Sequence, residues 1–168
     1  RAVQDHLFNG VIWPDFSKLP SPHNPMLRYH VCSPGDTITI DHRDFYAVDV
    51  MHSVPSLGFT VQNSGGAFAV SGDTKTNETL WPVLNACDDL RVLVIEVSFP
   101  DEMQSLAEDS GHYTPQTLTD DLRRLRHEPE IWLTGMKPGE EDKIYAQVRQ
   151  AAPGKNIRML SRGTVLTV

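Results

Sequence analysis

The sequence predicts an α/β domain in which helices lie on the outer face of a sheet. The first half contains short β-branched and aromatic runs split by turn residues, whereas the second half alternates strand-like and helix-like segments. The apolar run at residues 91–97 is typical of a strand that is buried on both faces. With 168 residues, 39% hydrophobic and 22% charged, the chain has the size and composition of a single globular domain.

The first half begins with the end of a helix at residues 2–9. A loop follows at residues 10–26, because its four prolines remove backbone donors and restrict the residues before them. Strands are then predicted at residues 27–31, 37–40, 45–51, 58–62 and 67–70. The last two are expected to pair as a hairpin around the Asn-Ser-Gly-Gly sequence at residues 63–66.

The second half carries three predicted helices, at residues 77–86, 115–126 and 140–151. Thr114-Pro115 starts the second one well, with threonine as the cap and proline at the first helical position. Pro153-Gly154 ends the third. Strands are predicted at residues 91–97, 130–134, 157–160 and 164–168.

Charge and composition exclude some classes of function. A net charge of −7 and a pI near 5.4 argue against a nucleic-acid partner held by a broad basic surface. An anionic substrate stays open, because a bound metal reverses the local field. No apolar run reaches about 18 residues, so no membrane span is predicted. Cys32 and Cys87 make no disulfide framework. No secretory leader is visible, and the compartment is not fixed, with the cytoplasm slightly favoured.

Four polar residues lie where predicted strands end, and they are His52, Asp73, Glu96 and His112. Strand ends that lead into loops are where α/β sheets place their sites. Imidazole nitrogen and carboxylate oxygen are ligands for zinc, manganese or iron. A histidine beside a glutamate is kept oriented and protonated, which suits proton donation to a leaving oxygen. The pattern therefore predicts a metal and acid/base site.

Each of these residues also has a structural interpretation. His52 could bond to backbone, and Asp73 could cap a helix or close a turn. Glu96 follows an apolar strand, where a buried carboxylate needs a partner. His112 could only shape the entry to the helix at Pro115. The four residues together favour the functional interpretation over the structural one.

Five ordered motifs resemble those of the class II cyclic-nucleotide phosphodiesterases, as does the opening sequence at residues 6–15, HLFNGVIWPD. The motifs are His52-x5-Gly58-Phe59, Ser71-Gly72-Asp73-Thr74, Glu96-x-Ser98-Phe99, Gly111-His112-x-Thr114-Pro115 and Leu133-Thr134-Gly135-Met136-Lys137-Pro138. A more distant likeness is to tRNase Z. The resemblance implies a metallo-β-lactamase-like αββα sandwich, of which this chain supplies roughly the C-terminal half.

The resemblance also implies roles for the site residues. His52 matches a histidine that ligates one metal, and Asp73 matches an aspartate that bridges two metals. Glu96 and His112 match a pair that relays a proton to the leaving group. The implied cofactor is a divalent metal at two sites, with zinc expected first and manganese or iron as alternatives. The implied substrate is a 3′,5′-cyclic nucleotide, cyclic AMP or cyclic GMP, which opens to a 5′-nucleotide.

The sequence departs from the family in two places. The His-x-His-x-Asp-His motif, which supplies most metal ligands, is not in the chain and is expected ahead of Arg1. Gly135 stands where the family has a histidine before Lys-Pro, so one ligand of the second metal is lacking.

Three functional hypotheses follow. The first is a metal-dependent cyclic-nucleotide phosphodiesterase, inactive as this chain alone. The second is a degenerate, metal-poor member of the same fold that binds a nucleotide or a protein, which Gly135 favours. The third is an RNA phosphodiesterase of the tRNase Z kind, which the acidic charge disfavours. A half-fold would expose a large apolar face, so we expect a homodimer or association with the missing N-terminal half.

Overall fold

The computed structural model describes residues 2–168, and the chain forms two compact units, one up to Cys32 and the other Ser33–Val168. The first unit holds helix α1 (Ala2–His6) and a short antiparallel ladder of β1 (Pro20–Ser21) with β2 (Asn24–Pro25). None of the helices in residues 2–168 has the length and apolarity needed to cross a bilayer.

The second unit contains a seven-stranded mixed sheet whose spatial order follows the chain. Its strands are β3 (Thr37–Ile40), β4 (Arg43–Val50), β5 (Ser56–Asn63), β6 (Gly66–Val70), β7 (Leu90–Glu96), β8 (Glu130–Thr134) and β9 (Ile157–Met159). Strands β3 to β6 form an antiparallel meander, and β6 to β9 run parallel. Asp41 and His42 turn the first hairpin with positive φ angles of 48° and 62°, as the tightest hairpin loops require.

Helices fill the connections between the parallel strands, because parallel neighbours need a crossover. They are α2 (Leu80–Asn85), α3 (Gln104–Ser110, after a 3₁₀ turn at Asp101–Met103), α4 (Pro115–Leu122) and α5 (Glu141–Ala151). Helix α4 starts with the predicted cap: Thr114 and Thr117 exchange side-chain and backbone hydrogen bonds in a capping box.

The main core lies on the helix-bearing face of the sheet. Strands β7 and β8 contribute Leu93, Ile95, Ile131 and Leu133, all fully buried. The helices cover them with Leu118 of α4 and with Ile144 and Val148 of α5. Such burial contributes about 1.5–3 kcal/mol per large aliphatic side chain, so this layer holds the strand ends in place.

The opposite face of the sheet, which we call the second face, is also apolar. Strand register aligns its side chains in two rows, Phe45–Val61–Phe68–Val92 and Phe59–Val70–Val94–Trp132. None of these eight residues belongs to the main core cluster of the described chain, and all but Val92 and Val94 stay partly exposed. Arg158 closes the second row by stacking on Trp132, with its guanidinium carbon 5.4 Å from the ring centroid.

The α/β prediction is confirmed, and several predicted boundaries are wrong. Residues 27–31 and 164–168 form no strand: Leu27 N donates to Phe16 O instead of to a ladder, and Thr164 N closes a turn on Ser161 O. The first helix ends at His6 rather than at residue 9, and α4 ends at Leu122 rather than at Arg126.

Two further differences concern helices. Helix α2 begins at Leu80 and not at Asn77, because the Asn77 side chain accepts the Leu80 N–H at 2.9 Å. Helix α3 was not predicted. Only Ala107 of its seven residues is buried, so its sequence carries little apolar periodicity.

Candidate active site

Three of the four candidate residues, His52, Asp73 and Glu96, lie at the ends of strands that point in one direction. His112 follows helix α3 instead, so its predicted place at a strand end is wrong. Strands β4, β6, β7 and β8 are mutually aligned through the sheet, so their carboxyl ends meet at one edge. His52 follows β4, Asp73 follows β6, and Glu96 ends β7. Loops at such an edge converge while the strands hold them rigidly.

Glu96 is buried, with its side chain 1% exposed. Its Oε1 accepts hydrogen bonds from Thr74 N (3.0 Å), His112 Nδ1 (3.1 Å) and Tyr113 N (3.3 Å). Its Oε2 accepts one from Ser98 Oγ (2.9 Å). A carboxylate in apolar surroundings needs such partners. Glu96 therefore has four hydrogen-bond donors of the kind that a buried carboxylate requires.

His112 turns its Nδ1 toward Glu96, so the structure brings these two predicted residues together. A carboxylate oxygen only accepts, which places a proton on Nδ1. The hydrogen bond to Glu96 raises the pKa of His112 above its ordinary value of 6.5, with the charges of Glu96 and Asp73 adding to the effect and burial opposing it. The imidazolium form is thus favoured, and its second proton sits on Nε2.

Gly111 allows the His112 loop to approach the His52 loop. It ends α3 in the left-handed conformation, with φ of 83°. A Cβ there would lie 2.6 Å from Ser53 N and 2.9 Å from His52 Nδ1. Only glycine fits both the backbone conformation and the space.

His52 lies against the same loop. Its Nδ1 is 2.9 Å from the Gly111 carbonyl oxygen, which can only accept, so Nδ1 carries the proton in the neutral ring and the lone pair of that tautomer is on Nε2. This is the tautomer of a histidine oriented for metal ligation. The rings of His52 and His112 meet edge to face, with centroids 4.8 Å apart.

Asp73 is exposed in the turn after β6, and within residues 2–168 its carboxylate has no hydrogen-bonding or ion-pair partner. It is near enough for its charge to raise the pKa of His112. Gly72 fixes the turn, since φ is 64° and a Cβ would lie 2.4 Å from Leu57 O.

The residues that the structure describes do not complete a metal site. Residues 2–168 contain no group of three or more His, Cys, Asp or Glu side chains that could hold a metal ion. His52 and Asp73 offer donors of the right chemistry, but they are two donors, and a stable site needs at least three or four.

Gly135 borders the site. A Cβ at this position would lie 3.4 Å from Glu96 Cβ and 3.6 Å from Ser98 Oγ. Its φ of 74° is strained for a residue with a side chain. The departure noted in the sequence therefore lies beside Glu96 and matches a backbone that favours glycine.

Ser98 lies in one of the motifs quoted from the sequence, but no role was predicted for it. Its Oγ is 2.9 Å from Glu96 Oε2 and 3.1 Å from His112 Nδ1, so it contacts both members of the pair. The available indication was its spacing from Glu96, because alternate residues of an extended segment share one side.

No protein-family model matches the chain, and no curated protein sequence matches it. Solved structures do. Unliganded yeast PDE1 superposes with a TM-score of 0.73 and 22% identity, over 94% of this chain and 54% of that chain. YhfI from Bacillus subtilis, a metallo-β-lactamase fold protein, gives a TM-score of 0.68 and 14% identity, over 81% of this chain and 54% of that chain.

The chain has the metallo-β-lactamase fold. The short form of human tRNase Z extends the set, with a TM-score of 0.57 and 17% identity over 77% of this chain and 45% of that one. The chain spans about half the length of each of these proteins. Both the fold prediction and the expectation of a half-length match are confirmed.

Proposed function

We propose that the chain contributes the proton-donating half of a metal-dependent phosphodiester hydrolase acting on 3′,5′-cyclic nucleotides. The observation that carries this proposal is the Glu96–His112 pair. The buried Glu96 carboxylate accepts four hydrogen bonds, one of them at 3.1 Å from His112 at the edge where the strand ends meet. The likeness in fold to yeast PDE1 and the ordered motifs support the substrate class.

The chemistry of the pair follows from its geometry. Glu96 holds Nδ1 of His112, which leaves the Nε2 proton free to move toward a ligand. When the phosphorus–oxygen bond of the cyclic ester breaks, the departing ribose oxygen takes this proton. The oxygen of a water molecule bonds to phosphorus in place of the ribose oxygen, and a proton released from that water restores His112. Positioned proton donation of this kind accelerates a reaction by about 10²–10⁴-fold.

His52 and Asp73 would supply two of the ligands of the metal. Zinc is the first candidate, with manganese or iron as alternatives. Because the described residues offer too few donors, the remaining ligands have to come from another segment, in a longer parent chain or a second polypeptide. The 168-residue chain alone is therefore expected to be inactive.

A second candidate is a metal-poor member of the fold that binds a nucleotide or a protein. Gly135, with no side chain beside Glu96, and the lack of a three-donor cluster in residues 2–168 favour it. An RNA substrate is disfavoured, because a net charge of −7 gives no electrostatic attraction to a polyanion.

The test is elemental analysis of the purified protein, together with its partner segment where one exists, and cyclic AMP hydrolysis on the same sample. Bound zinc, manganese or iron with turnover, reduced about 100-fold or more by His112→Gln, supports the hydrolase. A protein that stays metal-free and inactive with its partner segment present, and still binds cyclic AMP, supports the second candidate. Full turnover in His112→Gln contradicts the assigned role of His112.

A further inference from the structure

One lysine beside the candidate site differs from all the others. Four of the five lysines form ion pairs with carboxylates, and they are Lys18, Lys75, Lys143 and Lys155. Lys137 forms none within the described chain, and its Nζ instead lies 5.2 Å from the centroid of the Phe99 ring. Acidic residues outnumber basic ones by 22 to 15, so a lysine without a carboxylate is not explained by a shortage of partners.

The backbone around Lys137 is fixed. Lys137 N donates to Ser98 O at 2.9 Å, and Lys137 O accepts from Glu140 N at 3.0 Å. The preceding residue, Met136, packs against the main core. These contacts hold Lys137 beside Ser98, whose hydroxyl contacts both Glu96 and His112.

The Phe99 ring lies close to both the Lys137 ammonium and the His112 ring. It is edge to face with the His112 ring, with centroids 5.8 Å apart. A cation over an aromatic face is held without being neutralised, whereas a carboxylate partner would cancel its charge. The ammonium thus keeps its full charge, and its flexible four-carbon stem lets it move toward a ligand beside His112.

We propose that Lys137 binds the phosphate group of a nucleoside phosphate placed against His112. The inference rests on the proposed function and deepens it, since it assigns the contact that recognises the negative charge of the substrate and of the 5′-nucleotide product. A lysine ammonium serves a phosphate oxygen as a point charge.

The experiment measures binding without turnover. Adenosine 5′-monophosphate is titrated into the chelator-treated protein while the imidazole resonances of His112 and His52 are followed by NMR. Lys137→Met should weaken this binding about tenfold or more, the loss of one hydrogen bond to a charged group, while Lys137→Arg retains it. The matched control is Lys143→Met, which removes an exposed, ion-paired lysine.

Two further ligands test which part of the nucleotide the protein recognises. Inorganic phosphate should shift the same resonances, and adenosine, which lacks the phosphate, should not. If Lys137→Met binds the monophosphate as tightly as the native chain, or if no phosphate compound shifts the two histidines, the inference is wrong. Because these measurements need neither metal nor turnover, their failure is separate from a failure of the hydrolysis assay.

Discussion

At the residue scale, the Glu96–His112 pair is the group whose behaviour the structure specifies best. Burial of Glu96 is tolerated because its two carboxylate oxygens accept four hydrogen bonds, one of them from the histidine. A charge held in this way orients the neighbouring imidazole and raises its pKa. The proton affinity of His112 and the position of its ring therefore both depend on the contact with Glu96.

Replacing Glu96 with Gln should lower the pKa of His112 toward 6.5, because the largest cause of the raised value is the hydrogen bond to that carboxylate. The imidazole pKa is measured by NMR titration of the chelator-treated chain. Thr39→Val, far from the site in β3, serves as the control. A His112 pKa that stays unchanged in Glu96→Gln would contradict the geometry.

The same raised pKa predicts how stability depends on pH. The folded state binds the His112 proton more tightly than the unfolded state does, so this contribution is complete below the unfolded pKa of 6.5 and is lost as pH rises through the higher folded pKa. Denaturant unfolding across this range should show the decline. His112→Gln should flatten it, and an equal slope in both proteins would count against the linkage.

Gly111→Ala should destabilise the fold by about 1–3 kcal/mol, because the new Cβ meets Ser53 N at 2.6 Å and His52 Nδ1 at 2.9 Å. Gly163→Ala is the matched control: its φ of 87° imposes similar backbone strain, with no atom within 4 Å. Urea unfolding compares the two. Equal losses would show that only the backbone conformation matters, and not the approach of the two loops.

At the element scale, helix α4 is tied to the site by the residue that precedes its cap. Tyr113 donates its backbone N–H to Glu96, and its buried hydroxyl donates to Asp121 of α4 at 2.6 Å. Burial, reinforced by the Asp121 carboxylate, raises the pKa of Tyr113 far above its usual range, so the hydroxyl stays a donor. The helix and the His112 loop are thereby coupled through one side chain.

Tyr113→Phe should cost about 1–3 kcal/mol, because it leaves the buried Asp121 carboxylate without its shortest hydrogen bond. Tyr145→Phe removes a hydroxyl that donates to Ile157 O at 3.2 Å from a half-buried position, and should cost less. Thermal and urea unfolding of the two variants supply the comparison. A larger loss in Tyr145→Phe would show that the Asp121 contact is not the anchor of α4.

At the scale of the whole molecule, the second face of the sheet is an apolar surface that the main core does not cover. Six of its eight aligned residues remain partly exposed, and contiguous apolar surface of this kind marks an interaction site. The sequence led us to expect a second copy or a further segment as the partner. The second face is where we propose that this partner binds.

Phe59→Lys with Phe68→Lys should therefore reduce association of the chain with its partner. Sedimentation of the native chain should show an average mass that rises with concentration, and the double variant should stay closer to a monomer. Val165→Lys changes an apolar residue that is 86% exposed outside this face and serves as the control. A native chain that stays monomeric at every concentration would eliminate the homodimer and leave the further segment to be tested.

Much of this molecule was predictable from local sequence. The apolar run that became β7, the Thr114-Pro115 start of α4 and the Asn-Ser-Gly-Gly turn each depend on neighbours within a few residues, and side-chain periodicity reports such local geometry directly. His52, Asp73 and Glu96 could be selected for the same reason, since each lies at the end of a recognisable strand, whereas His112 follows helix α3 and was singled out by its motif.

Only the tertiary structure decided how those residues meet. Gly111 and His52 are 59 positions apart in the sequence, so no local periodicity predicts that the Gly111 carbonyl sets the tautomer of His52. The double contact of Ser98 and the place of Lys137 over Phe99 likewise depend on how the loops run after the strands. Secondary structure is specified by local pattern, whereas the pairing of one donor with one acceptor is specified by register and packing across the sheet. The sequence by itself therefore determined the elements and the candidate residues, and the tertiary structure determined the chemistry of those residues.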